Sequence, residues 1–496
     1  MSTATPAWCG VDVGTSGVRA VVVDADGHLL GSGARPLPAG RRAGARHEQD
    51  PTAWWAAVVT ALSDAVGAAG AVDLQALALD ATSGTVLVEG PDGRAFGPAL
   101  MYDDARATVE STRVAEVGHD LWSALGYRVQ PSWALPKVVW LLDHGEVAPG
   151  SRIVHQSDHL VRRLTGEAVA TDTSHALKTG VDLRTGTWPV DVLHTLGVPA
   201  GVLPAVVSPG TRLGTVDATS AGATGLPTGL PVLAGMTDGC AAQLAVGAVA
   251  PGRWSSALGT TLVLKGVTTD LVRDAGGAVY SHRAPDGGGW WPGGASSTGA
   301  GSLRAAFPDA TPADLDRLTA EAATLGAPGH VTFPLVGRGQ RFPFVAPDAV
   351  GFGDPVDADP ALRLSALCHG IAYVERLAYD VLAVAGADVS GEVAVSGGTA
   401  HNTWWTALRA DVLGRPVVVP ESTDAATGMA VLAAAAGGDL RTTAERMVRV
   451  ARRHEPQPSD ALERGYRRLV GALADRAWLP ADLADAVLAR RPEEVR

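Results

Sequence analysis

The first residues that could do chemistry lie in a short turn near the start of the chain. Asp12 ends an apolar, β-prone run, and Gly14, Thr15 and Ser16 follow it. Glycine lets backbone N–H groups approach an anion closely, and the two hydroxyls add further donors. The Asp12 carboxylate could hold Mg²⁺, directly or through water, beside a bound phosphate. An ordinary hairpin turn would explain the same composition, so both interpretations stay open for this turn taken alone.

A second turn of the same kind occurs in the other half of the chain. Gly259, Thr260 and Thr261 stand between two predicted strands, 253–257 and 262–266. Its backbone and hydroxyl donors could bind phosphate in the same way. A chance hairpin need not recur at an equivalent position, so the two turns together favour a polyphosphate ligand.

Asp238 is the candidate general base. It follows a short buried strand predicted at 231–235 and precedes a helix of small residues. Transfer of a phosphoryl group to an alcohol needs a group that accepts the hydroxyl proton, and aspartate can do this. Asp238 is also a candidate Mg²⁺ ligand, together with Asp12. The alternative is that Asp238 only caps the following helix.

A fourth turn could bind a nucleoside. Gly397 and Gly398 follow a predicted strand at 392–396, and a helix is predicted from Asn402. Bare glycine backbone suits a flat base or ribose, and a helix N-terminus lies close by. A tight strand-to-helix turn without a ligand is the alternative.

Several common motifs are missing from the sequence. It has no P-loop motif, no Gly-x-Gly-x-x-Gly and no Gly-x-Ser-x-Gly. These absences argue against a P-loop kinase, a dinucleotide-binding enzyme and a hydrolase with a nucleophile elbow. His155 and His159 are four residues apart on a predicted helix at 153–164, as metal ligands can be. No companion motif accompanies them, which favours a hydrogen-bonded or solvated pair.

Composition excludes other classes. The 496 residues are 46% hydrophobic and carry a formal net charge of −12, so neither disorder nor binding to nucleic acid or to anionic membranes is expected. Three cysteines in no metal-binding or disulfide spacing favour reduced, buried thiols and a cytoplasmic location. The sequence shows no secretory signal and no apolar run of ~20 residues, so we expect no transmembrane helix.

The order of predicted elements indicates an α/β protein of two domains. Each half opens with a strand, a Gly-Thr turn and a strand, which is an internal repeat. Long helices are predicted at 51–62 and 362–384. We place the domain boundary after residue 247, giving an N-terminal domain at 1–247 and a C-terminal domain at 248–496.

Taken in order, these four turns resemble the FGGY carbohydrate kinases. The resemblance implies the two RNase-H-like α/β domains of the actin/Hsp70/sugar-kinase superfamily, flanking a deep interdomain cleft. It also implies binding of ATP and Mg²⁺, with Asp238 as catalytic base and a sugar as acceptor. Asp104 and Arg106 match the family's acidic–x–Arg element, which makes Asp104 a candidate sugar contact, whereas Tyr102 stands where the family often has Trp.

Within the family, four segments are most similar to D-ribulokinases: 80–87, 155–158, 174–180 and 280–283. This similarity implies phosphorylation of D-ribulose to D-ribulose 5-phosphate, with Ser83 and Asp238 contacting the ketose. D-xylulose is the alternative acceptor, followed by other sugars or polyols. Two further hypotheses are a non-catalytic protein that binds a partner through nucleotide-driven motion, and a sugar sensor. The presence of Asp238 and the absence of a basic helix argue against them. We expect a monomer or a homodimer.

Overall fold

The computed structural model describes residues 4–274, 276–457 and 459–490. The strands are β1 (Thr5–Val13), β2 (Gly17–Asp24), β3 (Leu29–Pro36), β4 (Arg41–Ala43), β5 (Arg46–Gln49), β6 (Val72–Ala81), β7 (Val86–Glu89), β8 (Ala99–Leu100), β9 (Arg152–His155), β10 (Thr171–Asp172), β11 (Val206–Val207), β12 (Arg212–Thr215), β13 (Pro231–Leu233), β14 (Trp254–Leu258), β15 (Leu262–Gly266), β16 (Tyr280–Arg283), β17 (Trp290–Ala295), β18 (Phe333–Gln340), β19 (Ala346–Phe352), β20 (Val393–Ser396), β21 (Val417–Pro420) and β22 (Val450–His454).

The α-helices are α1 (Pro51–Ala69), α2 (Thr108–Val117), α3 (His119–Leu125), α4 (Ala134–Asp143), α5 (Gln156–Thr165), α6 (Thr173–Ala176), α7 (Val190–Thr195), α8 (Ala218–Thr224), α9 (Asp238–Ala245), α10 (Gly301–Ala306), α11 (Pro312–Ala322), α12 (Pro360–Val384), α13 (Thr403–Leu413), α14 (Ala425–Ala434), α15 (Leu440–Met447), α16 (Asp460–Asp475) and α17 (Ala481–Ala489). Two short 3₁₀ helices occupy Leu177–Thr179 and Gly398–His401. Among the described helices, none is both long enough and apolar enough to cross a membrane. The expected cytoplasmic location and oligomeric state stay predictions.

The described residues form two compact units, each with a mixed α/β architecture. The first unit takes the described part of Met1–Val249, His282–Gly289 and Ser422–Arg449. The second takes the described part of Ala250–Ser281, Trp290–Glu421 and Val450–Arg496. The domain boundary after residue 247 stays a prediction. In space, the segment Ser422–Arg449 packs with the first unit, because α14 lies on β1 and β6.

The main sheet of the first unit has six strands in the order β12-β13-β6-β1-β2-β3. β1, β2 and β3 form the antiparallel meander expected from the sequence, and β6 runs parallel to β1. Side chains alternate along β1, so Cys9, Val11 and Val13 enter the core beside Val58 of α1. The other face of β1 carries Gly10 and Asp12 and meets α14.

The second unit repeats this arrangement. Its seven-stranded sheet has the order β16-β17-β15-β14-β20-β21-β22, with β14 antiparallel to β15 and parallel to β20. β15 also pairs antiparallel with β17, just as β2 pairs antiparallel with β3 in the first unit. The internal strand–turn–strand repeat inferred from the sequence is therefore a repeat of topology. The long helix α12 supplies many residues of the core of this unit.

The local predictions hold with one clear correction. Asp50 caps α1 and Pro51 occupies its first turn, as expected. The helix predicted at 153–164 is wrong in its first turn, because Arg152–His155 is a strand that pairs with β7. The helix α5 begins only at Gln156. The apolar residues at 153 and 154 fit a buried strand as well as a helix, and only the pairing partner decides.

A glycine contact holds α14 against the sheet and gives the first prediction. A Cβ added at Gly10 would lie 1.8 Å from the Ala426 carbonyl oxygen, so Gly10→Ala must push α14 away from β1. We expect destabilisation of about 1–3 kcal/mol, seen as a lower melting temperature in calorimetry. The control is Gly67→Ala in α1, where an added Cβ meets nothing within 4 Å and should stabilise the helix slightly. Equal melting temperatures for both variants would contradict this account of the packing.

Candidate active site

Four aspartates of the first unit meet at one edge of its main sheet. Asp12 near the end of β1 and Asp80 near the end of β6 are direct neighbours in the parallel register. Asp238 is the first residue of α9, and Asp424 is the N-cap of α14. Arg19, the residue opposite Asp12 on β2, is largely exposed and lies 3.9 Å from the Asp424 carboxylate. We call Asp12, Asp80, Asp238 and Asp424 the aspartate cluster.

The cluster exists because several backbones pack without intervening side chains. Gly10 lies against α14, and a Cβ at Gly428 of that helix would lie 2.0 Å from the Ala241 carbonyl oxygen of α9. A Cβ at Gly235 would similarly lie 1.8 Å from the Leu79 carbonyl oxygen of β6. These contacts bring the first turns of α9 and α14 to the ends of β1 and β6. Helix N-termini carry partial positive charge, which favours anions there.

Burial and mutual repulsion disfavour ionisation within the cluster. The pKa of Asp12 is raised to about 6, mainly by burial and also by the charges of Asp424 and Asp238. A hydrogen bond with Asp80 and the charge of Arg19 act in the opposite direction. Complete burial, followed by the charges of Asp12 and Asp238, holds the pKa of Asp80 well above its ordinary value. The site therefore favours a ligand that brings positive charge or a proton.

The first predicted phosphate loop borders this cluster. The amide of Gly14 donates to the Gly17 carbonyl at 3.0 Å, which closes the turn. The Thr15 carbonyl accepts from the Gln49 side chain at 2.9 Å, and the Ser16 carbonyl accepts from a neighbouring backbone amide. With the carbonyls held by the protein, the exposed Ser16 and half-buried Thr15 side chains stay at the surface of the turn. This arrangement leaves donors available to an anion.

Asp238 is held by a buried hydrogen-bond network. Its Oδ1 accepts from the Gly239 amide at 2.7 Å, a bond within the first turn of α9, whose N-cap residue is Thr237 and not Asp238. The preceding residue, Thr237, donates its amide to the Ser174 Oγ at 3.1 Å and bridges to Ala81 of β6. Ser174 Oγ also lies 3.1 Å from His282 Nδ1. The network fixes the start of α9 and leaves the second carboxylate oxygen of Asp238 without a described hydrogen bond.

Besides Asp238, two sugar contacts were predicted, Ser83 and Asp104, and they differ in how many of their polar atoms are already hydrogen-bonded. Ser83 is half-buried, and its carbonyl accepts from Lys178 Nζ at 3.0 Å, which leaves its hydroxyl without a described partner. Asp104 is completely buried, and its carboxylate accepts from the His47 amide at 2.7 Å and from the Arg106 guanidinium at 2.7 and 2.9 Å. Its contact with a sugar stays a prediction, and these hydrogen bonds give it a positioning role.

The sequence interpretation missed Tyr102, Asp80, Asp424 and Arg19. Tyr102 is 38% exposed and hydrogen-bonds to Thr15. Burial raises the pKa of its phenol, with the Asp103 and Asp238 charges adding to the shift. Its place in the family's acidic–x–Arg element was a usable signal, whereas nothing near Asp424 in the sequence marks a site.

The second unit brings its two predicted turns together. Gly259, Thr260 and Thr261 connect β14 to β15, and the Gly259 and Thr260 carbonyls accept from backbone amides at 2.9 and 3.1 Å. Gly397 has φ of +90°, and a Cβ there would lie 2.5 Å from the Leu258 carbonyl oxygen, so the position requires glycine. Both Gly397 and Gly398 are exposed.

Asn402 is the N-cap of α13 and is engaged at both ends of its amide. Its Oδ1 accepts from the Trp405 amide at 3.0 Å, and its Nδ2 donates to Thr319 Oγ1 at 3.1 Å. It therefore fixes the helix start behind the exposed glycines. Its direct contact with a nucleotide stays a prediction.

The aspartate cluster offers some of the oxygen ligands that a magnesium ion needs. Carboxylate oxygens are the ligands this cation prefers, and Asp80 has two buried oxygens that no donor satisfies. Within the described residues, no three His, Cys, Asp or Glu side chains already form a metal-binding group. A cation here would complete its shell with water and phosphate oxygens. The histidines of the sequence analysis are engaged elsewhere: His155 with Asp158 and Thr179, and His159 with Glu89.

The raised pKa of Asp12 gives a prediction for stability. Because this pKa is higher in the folded protein, the free energy of unfolding falls as the pH rises from about 4 to about 6. Asp12→Asn should therefore raise the melting temperature at pH 7.5, by an amount equivalent to about 2 kcal/mol, and raise it less at pH 5. Calorimetry in EDTA measures this, with the exposed Asp26→Asn as control. A variant no more stable than wild type at pH 7.5 would contradict the assignment.

Comparison with known proteins identifies the family. Residues 7–245 match the FGGY family of carbohydrate kinases, N-terminal domain, and residues 256–437 match its C-terminal domain. The xylulose kinase of Streptomyces rubiginosus is 32% identical over 495 residues, covering 96% of this chain and 97% of that protein. The xylulose kinase of Streptomyces coelicolor is 30% identical over 493 residues, with the same two coverages.

A solved structure agrees with these matches. The xylulose kinase from Rhodospirillum rubrum aligns with a TM-score of 0.84 at 26% identity, covering 95% of this chain and 98% of that one. The resemblance drawn from the four turns is confirmed. The chain belongs to the FGGY family of carbohydrate kinases and is an ATP-dependent phosphotransferase with an alcohol group as acceptor.

Proposed function

We propose that this enzyme transfers the γ-phosphoryl group of ATP to the C5 hydroxyl of D-xylulose, giving D-xylulose 5-phosphate and ADP. The observation that carries this proposal is the similarity, over 96% of the chain, to two proteins named xylulose kinase. The sequence alone favoured D-ribulose, on four short segments. A match over the whole chain is the broader support, so D-xylulose becomes the first choice of acceptor.

In the proposed reaction, Asp238 accepts the proton of the sugar hydroxyl. The hydroxyl oxygen forms a bond to the γ-phosphorus while the bond from that phosphorus to the β–γ bridging oxygen of ATP breaks. The Gly239 amide orients one oxygen of Asp238, which supports proton acceptance by the other. Ser83 and Tyr102 would contact the ketose, because both have surface next to the cluster or the first loop.

Each unit would hold a different part of the nucleotide. In the first unit, Thr15 and Ser16 would donate to phosphate oxygens, and Gly14, whose amide donates to the Gly17 carbonyl, would hold the turn closed around them. In the second, Thr260 and Thr261 would do the same, and the exposed backbone of the glycine turn would receive the adenosine. Asp12 and Asp238 would hold Mg²⁺, which supplies positive charge to the phosphates when bound.

D-ribulose remains the second candidate because the four segments that suggested it contact one another. Gln156 accepts from Thr82 Oγ1 at 2.7 Å, and His175 Nε2 lies 3.3 Å from the Ala81 carbonyl oxygen. Lys178 bonds the Ser83 carbonyl, and Ser174 meets His282. The contacting residues all belong to the first unit, whereas Tyr280 and Ser281 of the fourth segment belong to the second. The two sugars differ only in configuration at C3, so a few contacts could decide the choice.

Acceptor preference is tested with purified enzyme, ATP and Mg²⁺. We expect kcat/KM for D-xylulose to exceed that for D-ribulose by at least about tenfold, a difference of about 1.4 kcal/mol in transition-state binding. NMR of the product should show phosphate at C5. Glycerol and aldohexoses serve as comparison acceptors. A reversed ratio would establish D-ribulose, and faster reaction of an aldohexose would exclude both ketopentoses.

The role of Asp238 is tested by Asp238→Asn, which keeps the shape of the side chain but cannot accept the proton. We expect kcat to fall by about 10²–10⁴-fold with a smaller change in KM. The matched control is Asp217→Asn, at the N-cap of α8 in the same unit, where asparagine still caps a helix. ATP hydrolysis that needs no sugar and survives in Asp238→Ala would instead favour the non-catalytic hypothesis.

A further inference from the structure

A cleft in the first unit has no role in the proposed reaction. Its volume is about 980 Å³, a size that suits a small-molecule ligand. Its walls are the turn after β3, the end of β5 with the first turn of α1, the loop between β7 and β8, and one face of α5. No residue of these walls belongs to the aspartate cluster or to the predicted phosphate and sugar contacts. We call it the α1–α5 cleft.

Part of the lining of the α1–α5 cleft is apolar and flat. The residues that form this part include Leu37, Pro38, Pro98, Trp54 and Trp55. Trp54 is almost completely buried, and its indole N–H donates to the Gln49 side chain at 2.8 Å. Trp55 is only half-buried. Aromatic and proline surfaces of this kind suit the ring system of a ligand.

The two carboxylates of the lining already have donors. Glu48 accepts from Arg41 at 2.6 Å and from Arg106 at 2.7 Å, one on each oxygen. Both oxygens of Asp50, the N-cap of α1, accept from Thr52, at 2.9 and 2.7 Å. Neither acid therefore leaves a carboxylate oxygen without a donor, so a cationic ligand is not favoured.

Two arginines of the lining keep donors for an anion. Arg94 is 85% exposed and lies 3.6 Å from Asp92, itself 61% exposed, so solvent screens this pair. Arg163 forms no ion pair with any described residue, and its guanidinium lies 5.4 Å from the centre of the Trp55 ring. A guanidinium stacked on an aromatic ring still presents its N–H groups to a carboxylate or sulfonate.

His159 adds a buried polar atom to the same wall. It precedes Arg163 by four residues, so the two side chains are neighbours on one face of α5. His159 is 4% exposed, and its Nδ1 lies 2.7 Å from a Glu89 oxygen. A carboxylate only accepts, which makes Nδ1 the donor. Nε2 has no hydrogen-bond partner among the described residues, so it remains for a ligand or for water.

We propose that the α1–α5 cleft binds a small aromatic anion, with its acid group on Arg163 and its rings on the apolar part of the lining. The proposal does not depend on which sugar is the acceptor. Two residues of the lining also support the first phosphate loop. Gln49 Nε2 donates to the Thr15 carbonyl at 2.9 Å, and the Leu37 amide donates to the Ser16 carbonyl at 2.9 Å. A ligand in the cleft would thus lie against residues that hold this loop.

The probe for this site is 8-anilinonaphthalene-1-sulfonate, an aromatic sulfonate whose fluorescence rises in apolar surroundings. All titrations contain MgADP, so that a nucleotide site is not open to the dye. We expect saturable binding of a single molecule to each folded chain. Arg163→Gln should weaken it by at least about fivefold, through loss of a charge-assisted hydrogen bond. Added salt should weaken binding to the wild type and have little effect on the variant.

Two comparisons separate the charge from the apolar contact. N-phenyl-1-naphthylamine has the same rings without the sulfonate, and it should bind equally well to the wild type and to Arg163→Gln. Trp55→Ala should weaken both dyes by at least about fivefold, because the ring surface is lost. The matched control is Arg113→Gln, at a half-exposed arginine of the same unit outside the cleft, which should keep wild-type affinity.

Circular dichroism establishes that each variant is folded. Wild-type affinity for the sulfonate in either folded variant, Arg163→Gln or Trp55→Ala, would overturn the proposal, as would the absence of saturable binding. Dye binding that falls as the protein concentration rises would also overturn it, because a second copy of the chain would then cover the cleft. None of these results depends on phosphoryl transfer, so they stand apart from the tests of the acceptor.

Discussion

The approach of bare backbones at Gly10, Gly428 and Gly235 is the constraint on which the candidate site depends. An added methyl group at each of these positions would overlap a carbonyl oxygen of a neighbouring element. Without side chains in the way, α9 and α14 begin directly over the ends of β1 and β6. The side chains that project from these ends and first turns are the aspartates, so close packing and chemistry come from the same contacts.

Burying several aspartates close together disfavours their ionised forms. Asp12 and Asp80 lose solvation on burial, and each carboxylate disfavours ionisation of the others. Helix N-termini offset part of this cost, but they cannot neutralise several charges. A site of this kind binds a cation or a proton well. That is what transfer of a phosphoryl group to a hydroxyl requires, since a metal accompanies the phosphates and a proton leaves the acceptor.

The second unit has the same topology but different residues at the ends of its strands. Where β1 has Asp12 as its penultimate residue, the equivalent strand β14 has Ala257, and an exposed Gly-Thr turn follows its last residue. Gly397 lies against the backbone of that strand end with a positive φ, and Asn402 fixes the helix behind it. The turn residues themselves supply backbone amides and hydroxyls. The same topology thus presents backbone amides and hydroxyls at this edge in one unit and aspartates at the corresponding edge in the other.

The sequence by itself determined whatever depends on neighbours along the chain. The Gly-Thr turns, the strand–turn–strand repeat, the Asp50 cap and the candidacy of Asp12 and Asp238 all follow from local patterns, and together they indicated the family. Only the tertiary structure decided which distant residues join them. Asp80 enters the site through strand register, and Asp424 enters because the chain returns to the first unit after residue 421. Neither event leaves a local mark, because pairing register and the docking of a helix depend on packing across the whole unit.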